Sequence, residues 1–161
     1  MYNLTLFIYF FIKNLASFIY PQGIVGFMGE LLVPYDGSEV SKKALYKAAE
    51  MTKDGDRLTV IHVIPQLTEF TSLDPGLTIS NAMEMVDKAL SDFRARGLTV
   101  ASLVKIGDIV DEILKAASEL KCSLIVIGST GKSTEKIGRF LLGSVAEKVS
   151  RHAACPVLIV R

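Results

Sequence analysis

From Leu31 onward, short apolar runs alternate with segments in which apolar residues recur every three or four positions. The short runs are rich in Val, Ile and Leu, which is typical of buried strands, whereas the longer spacing indicates amphipathic helices. Five strands are therefore predicted, at residues 31–35, 58–64, 98–104, 123–127 and 156–160.

Four helices are predicted between these strands. The first follows Ser38 as its N-cap, the second covers 79–93, the third follows Asp108 and the fourth covers 144–152. The segment 66–76 is predicted to be a loop because it contains the turn-forming run Asp74, Pro75 and Gly76.

This alternation of strands and helices predicts the fold. Strands that are apolar on both faces favour a parallel sheet with helices on each side. Right-handed crossovers then favour a doubly wound α/β fold of five strands in the order 3-2-1-4-5. Such a sheet binds ligands outside the carboxyl ends of its strands at its switch point, here between the adjacent strands one and four.

The composition narrows the class of protein. The chain has 161 residues, 50% hydrophobic and 22% charged, which suits one folded domain and excludes disorder as its main state. Its 18 basic and 17 acidic residues give a net charge of +1, so we expect no nucleic-acid partner. Cys122 and Cys155 are too few for a disulfide framework or a zinc cage, and buried free thiols fit a cytoplasmic location.

Residues 1–28 differ from the rest and are treated as an apolar extension before a domain at 29–161. Lys13 is the one charged residue of the extension. Three interpretations stay open: a mis-assigned start codon, with Met28 as the natural start; a membrane-associating segment; or an extension that packs on the domain or at a dimer contact. A membrane partner is expected only if the extension is native.

The first candidate site residue is Asp36, directly after strand one. At the switch point its carboxylate could accept hydrogen bonds from a ribose or a base amine. The alternative is that Asp36 only turns the chain, because Asp-Gly-Ser is common turn chemistry.

The second candidate segment follows strand four. Gly128 and Gly131 allow close backbone approach, and Gly143 with Ser144 stands at the start of a helix, where N–H groups attract anions. Lys132 and Arg139 would add positive charge. The alternative is a flexible loop with Ser144 as a helix N-cap.

Taken together, these motifs resemble the universal stress protein family over the chain from Leu31 to Arg161. The matching stretches are 32–38, 62–63, 128–131, 141–149 and 154–160. The resemblance implies a flavodoxin-like domain of the adenine nucleotide alpha hydrolase-like kind, a homodimer, and in one branch a site for ATP with Mg²⁺. We place the dimer contact on the predicted edge strand from Pro156 to Val160, because an apolar edge invites pairing.

The resemblance also implies roles for eight residues. The adenosine end would be held by Pro34, Asp36 and Val63. Ribose and phosphates would be held by Gly128, Gly131, Gly143, Ser144 and Val145. Eleven residues separate Gly131 from Gly143, where the family signature has nine.

Two functions stay open. The first is a stress-response regulator that binds ATP, acts on a regulatory protein partner and hydrolyses ATP slowly at most, so not an efficient enzyme. The second is a dimerisation or interaction module of the same fold that binds no nucleotide. His62 and His152 are predicted to be structural.

Overall fold

The computed structural model describes residues 29–66, 75–131 and 142–161. The strands are β1 (Glu30–Pro34), β2 (Arg57–Pro65), β3 (Val100–Gly107), β4 (Leu124–Gly128) and β5 (Val157–Val160). The helices are α1 (Glu39–Met51), α2 (Pro75–Ala95), α3 (Ile109–Glu119) and α4 (Ser144–His152).

The five strands form one parallel sheet in the order β3-β2-β1-β4-β5, which confirms the predicted fold. Pro34 of β1 is in register with Ile61 of β2, and Leu32 of β1 with Ile125 of β4. The carboxyl ends of β1 and β4 therefore lie side by side at the middle of the sheet, where a ligand site is expected.

Two hydrophobic cores cover the two faces of the sheet. Alternate residues of each strand point to opposite faces, so Val33 packs with α1 and α2, whereas its neighbour Leu32 packs with α3 and α4. Both side chains are fully buried. The central strands are apolar on both faces for this reason.

Two element boundaries differ from the prediction by three residues or more. Helix α2 begins at Pro75, inside the segment predicted to be a loop, since proline is well suited to the first turn of a helix. Strand β3 ends at Gly107, beyond the predicted end at Val104, because it pairs with β2 as far as Pro65.

The two thiols are free, as predicted, but their burial differs. Cys122 is buried, and burial raises the pKa of its thiol to about 12, whereas Cys155 is only partly buried.

The interpretations of residues 1–28 concern a part of the chain outside the described residues. Among the helices that the structure describes, none combines the length and the apolar composition needed to cross a membrane.

Candidate functional site

A cavity of about 180 Å³ lies at the carboxyl ends of β1, β2 and β4. It is also bordered by the first turns of α3 and α4. All eight residues predicted for the site line it: Pro34, Asp36, Val63, Gly128, Gly131, Gly143, Ser144 and Val145. The fold therefore brings together three stretches that are far apart in sequence.

Asp36 reaches the cavity from the turn that joins β1 to α1. Its Oδ1 accepts a hydrogen bond from the Ser38 N–H at 3.0 Å, and the Ser38 Oγ in turn accepts one from the Ser41 N–H at 3.1 Å. Gly37 between them has a φ of 79°, a conformation that glycine adopts easily. The two interpretations of Asp36 are thus compatible, because one carboxylate orders the turn and borders the cavity.

The loop after β4 is closed at its base by backbone hydrogen bonds. The Ser129 N–H donates to the Val160 carbonyl at 2.7 Å, and the Gly143 N–H donates to the Ser129 carbonyl at 2.7 Å. These bonds hold the two ends of the loop together. The segment between the ends, 132–141, includes Lys132 and Arg139 and lies outside the described residues. The Gly143 N–H, expected to face phosphate, is used for this closure instead.

Helix α4 presents its N-terminus to the cavity. Gly143 is the N-cap residue and makes no side-chain capping bond, so Ser144 is the first residue of the helix and not its cap. First-turn N–H groups have no carbonyl within the helix to bond, and they lie at the positive end of the helix dipole. Ser144 and Val145 therefore supply donors suited to an anion.

Gly128 and Gly131 serve different purposes. A Cβ at Gly128 would lie 3.1 Å from the backbone carbonyl carbon of Val40, so this glycine permits close packing of β4 against α1. A Cβ at Gly131 would lie 2.8 Å from Oδ2 of Asp36. Gly131 and Asp36 were assigned to opposite ends of a nucleotide, but in the structure they are in direct proximity.

His62 was predicted to be structural, but it borders the cavity beside Val63. Its Nδ1 lies 2.7 Å from the Tyr35 carbonyl oxygen. The sequence did contain an indication of this place, because His62 is near the carboxyl end of a strand that adjoins the switch point. Burial raises the pKa of the Tyr35 phenol, so this neighbour of Asp36 stays uncharged at neutral pH.

Comparison with known proteins identifies the family. The profile described as Universal stress protein family matches residues 28–161. Universal stress protein YxiE of Bacillus subtilis is 33% identical over 147 residues, which span 82% of this chain and 98% of YxiE. Universal stress protein MJ0531 of Methanocaldococcus jannaschii is 32% identical over 144 residues, spanning 82% of this chain and 81% of the relative.

A solved structure agrees with these relatives. Hypothetical protein MJ0577 superposes with a TM-score of 0.72 at 28% identity, covering 83% of this chain and 95% of that protein. The chain belongs to the universal stress protein family, and the resemblance noted in its sequence is confirmed.

Proposed function

We propose that this chain is a stress-response regulator that binds an adenine nucleotide in the cavity between β1 and β4. The proposal depends on one observation. Three kinds of group border the same cavity: the backbone at a strand end, a carboxylate and a helix N-terminus. An adenine nucleotide needs partners of these three kinds, for its base, its ribose and its phosphates.

The base would pair with the backbone of Val63. In the β1–β2 register, the Val63 N–H and carbonyl face the end of β1, yet within the described residues they make no hydrogen bond to it. A neighbouring donor and acceptor complement the adenine edge, which offers one ring nitrogen as acceptor and one amine as donor. The Asp36 carboxylate would accept hydrogen bonds from ribose hydroxyls.

The phosphates would lie against the first turn of α4. The N–H groups of Ser144 and Val145, together with the backbone near Gly131, would donate to phosphate oxygens. We further propose ATP, with Mg²⁺, as the nucleotide. Asp36 is the single carboxylate among the described residues that line the cavity, so the ion would be held mainly by phosphates, a common arrangement for Mg²⁺.

Universal stress proteins of the same fold have been solved in complex with cAMP and, from Archaeoglobus fulgidus, with dAMP. They are 23% and 24% identical to this chain, a likeness that concerns the fold. The proposal for this chain therefore depends on its own cavity. We propose binding coupled to a change in a protein partner contact, with slow hydrolysis at most.

Titration calorimetry with ATP, AMP and adenosine tests the proposal. We expect the wild-type chain to bind all three, and Asp36→Asn to weaken each by about tenfold or more, since a hydrogen bond to a charged group contributes ~1.5–3 kcal/mol. Glu147→Gln serves as the control, because Glu147 is an exposed acid of α4 that does not line the cavity. A wild-type chain that binds none of the ligands at millimolar concentration would favour the nucleotide-free interaction module.

We also propose that the chain pairs with a second copy through β5, which is an edge of the sheet. The Pro156 carbonyl accepts a hydrogen bond from Ile125 of β4, and the Val160 carbonyl accepts one from Ser129, directly after β4. Since alternate residues of a parallel strand bond to opposite sides, Val157 and Ile159 direct their N–H and carbonyl groups away from β4. Those groups could pair with the same strand of another copy.

Ile159→Pro should convert a dimer into a monomer in sedimentation equilibrium. Proline removes the outward N–H of residue 159 and leaves the bonds from β5 to β4 in place. The control is Ile159→Ala, which loses the same side chain from the core but keeps the N–H, and it should stay dimeric. Lysine at Leu158 or Val160 is a poorer test, because both side chains pack against the core. A wild-type monomer at micromolar concentration contradicts the proposed pairing.

A further inference from the structure

The hydrogen-bond ladder between β1 and β2 stops one step earlier than its register allows. The Arg57 N–H donates to the Gly29 carbonyl at 3.0 Å, and the Tyr35 N–H donates to the Ile61 carbonyl at 2.9 Å. In the same register, the next bond would run from the Val63 N–H to the Tyr35 carbonyl. No such bond is formed among the residues that the structure describes.

The side chain of His62 hydrogen-bonds to the carbonyl that this missing bond would use. Its Nδ1 lies 2.7 Å from the Tyr35 carbonyl oxygen. A carbonyl can only accept, so the hydrogen lies on Nδ1. The doubly protonated ring also carries hydrogen on Nδ1, so the contact forms in either charge state.

We propose that His62 is a positioning residue that ends the β1–β2 ladder and keeps the backbone of Val63 open to the cavity. This inference rests on the proposed adenine site. It explains why the Val63 backbone of β2 is accessible to a base. The Tyr35 carbonyl bonds to the His62 ring and not to the Val63 N–H, so that N–H stays available to a base.

Removing the His62 donor should let the ladder extend by one bond. The Val63 N–H would then bond to Tyr35, and a bound base would lose one donor. We expect His62→Leu to weaken AMP binding by about fivefold, since one hydrogen bond contributes on the order of 1 kcal/mol. His62→Asn should retain affinity near that of the wild type, because the side-chain amide can place a donor where Nδ1 lies.

NMR couplings across hydrogen bonds test the inference directly on the chain without nucleotide. The coupling from the Val63 nitrogen to the Tyr35 carbonyl carbon should be absent in the wild type and in His62→Asn, and should appear in His62→Leu. The coupling from the Tyr35 nitrogen to the Ile61 carbonyl carbon is the internal control, and it should be present in all three proteins.

Two results would overturn the inference: a Val63–Tyr35 coupling in the wild type, or its absence in a folded His62→Leu variant. A Val63–Tyr35 coupling in the wild type would contradict the inference even if the His62→Leu variant does not fold. Because neither measurement uses nucleotide, they are separate from the calorimetry. A wild type that binds no AMP contradicts the proposed function, while the couplings still report whether His62 ends the ladder.

Discussion

Gly131→Val should weaken the binding of ATP and of adenosine alike, each by about a hundredfold. A Cβ at this position would lie 2.8 Å from Oδ2 of Asp36, too close for a carbon and an oxygen that are not bonded. Asp36 is anchored by its bond to the Ser38 N–H, so either the carboxylate or the loop must move. Displacement of the carboxylate would remove its proposed hydrogen bonds to the ribose hydroxyls, which ATP and adenosine share, and each hydrogen bond to a charged group is worth about 1.5–3 kcal/mol.

A double-mutant cycle separates this cause from a general disturbance of the loop. Asp36→Ala removes the carboxylate that the new side chain would strike, so adding Gly131→Val to it should cost less than adding the same change to the wild type. Calorimetric titration with ATP and adenosine measures each step. Loss of ATP affinity with unchanged adenosine affinity would show instead that Gly131 acts on the phosphates alone.

The fold could be predicted because it depends on local patterns. Residues such as Val33 and Leu32 are apolar on opposite faces of one strand, which already implies a sheet covered on both sides. Element ends were less accurate. The end of β3 at Gly107 depends on how far β2 continues, which is a property of the pair and not of either sequence segment.

That the eight residues would border one cavity was predictable, but the contacts among them were not. Motif positions placed Asp36 and Gly131 at neighbouring strand ends, yet their distance depends on how the loop after β4 turns back. The role of Gly143 depends on a bond to Ser129, which no spacing reveals. The sequence predicts only a structural role for His62, because it does not show that the ring bonds to a backbone carbonyl at the cavity.

The glycines illustrate the same limit. Glycine is expected wherever a loop needs unusual dihedral angles. Gly143 has a φ of −65°, which any residue can adopt, and neither Gly128 nor Gly131 has a positive φ. At Gly128 and Gly131, glycine is favoured because there is no room for a Cβ. That room depends on the neighbouring elements and not on the local sequence.

Gly128→Ala should therefore act on stability and not first on ligand binding. The added Cβ would lie 3.1 Å from the backbone carbonyl carbon of Val40 and 3.2 Å from the Ser41 nitrogen, both in the first turn of α1. The backbone atoms of a packed helix cannot shift easily to make room, and overpacking a core typically costs about 1–3 kcal/mol of stability. Urea denaturation should show a free energy of unfolding lower by that amount.

Gly131→Ala is the matched control for this measurement, since it adds the same carbon a few residues further along the chain. Its Cβ would contact a side-chain carboxylate and not helix backbone, so its free energy of unfolding should change by less than about 0.5 kcal/mol. The two alanine variants should thus have opposite profiles: Gly128→Ala unfolds more easily, and Gly131→Ala binds nucleotide less tightly. Equal stability of Gly128→Ala and the wild type would mean that α1 can shift away from β4, and that the close packing at Gly128 is not what requires a glycine there.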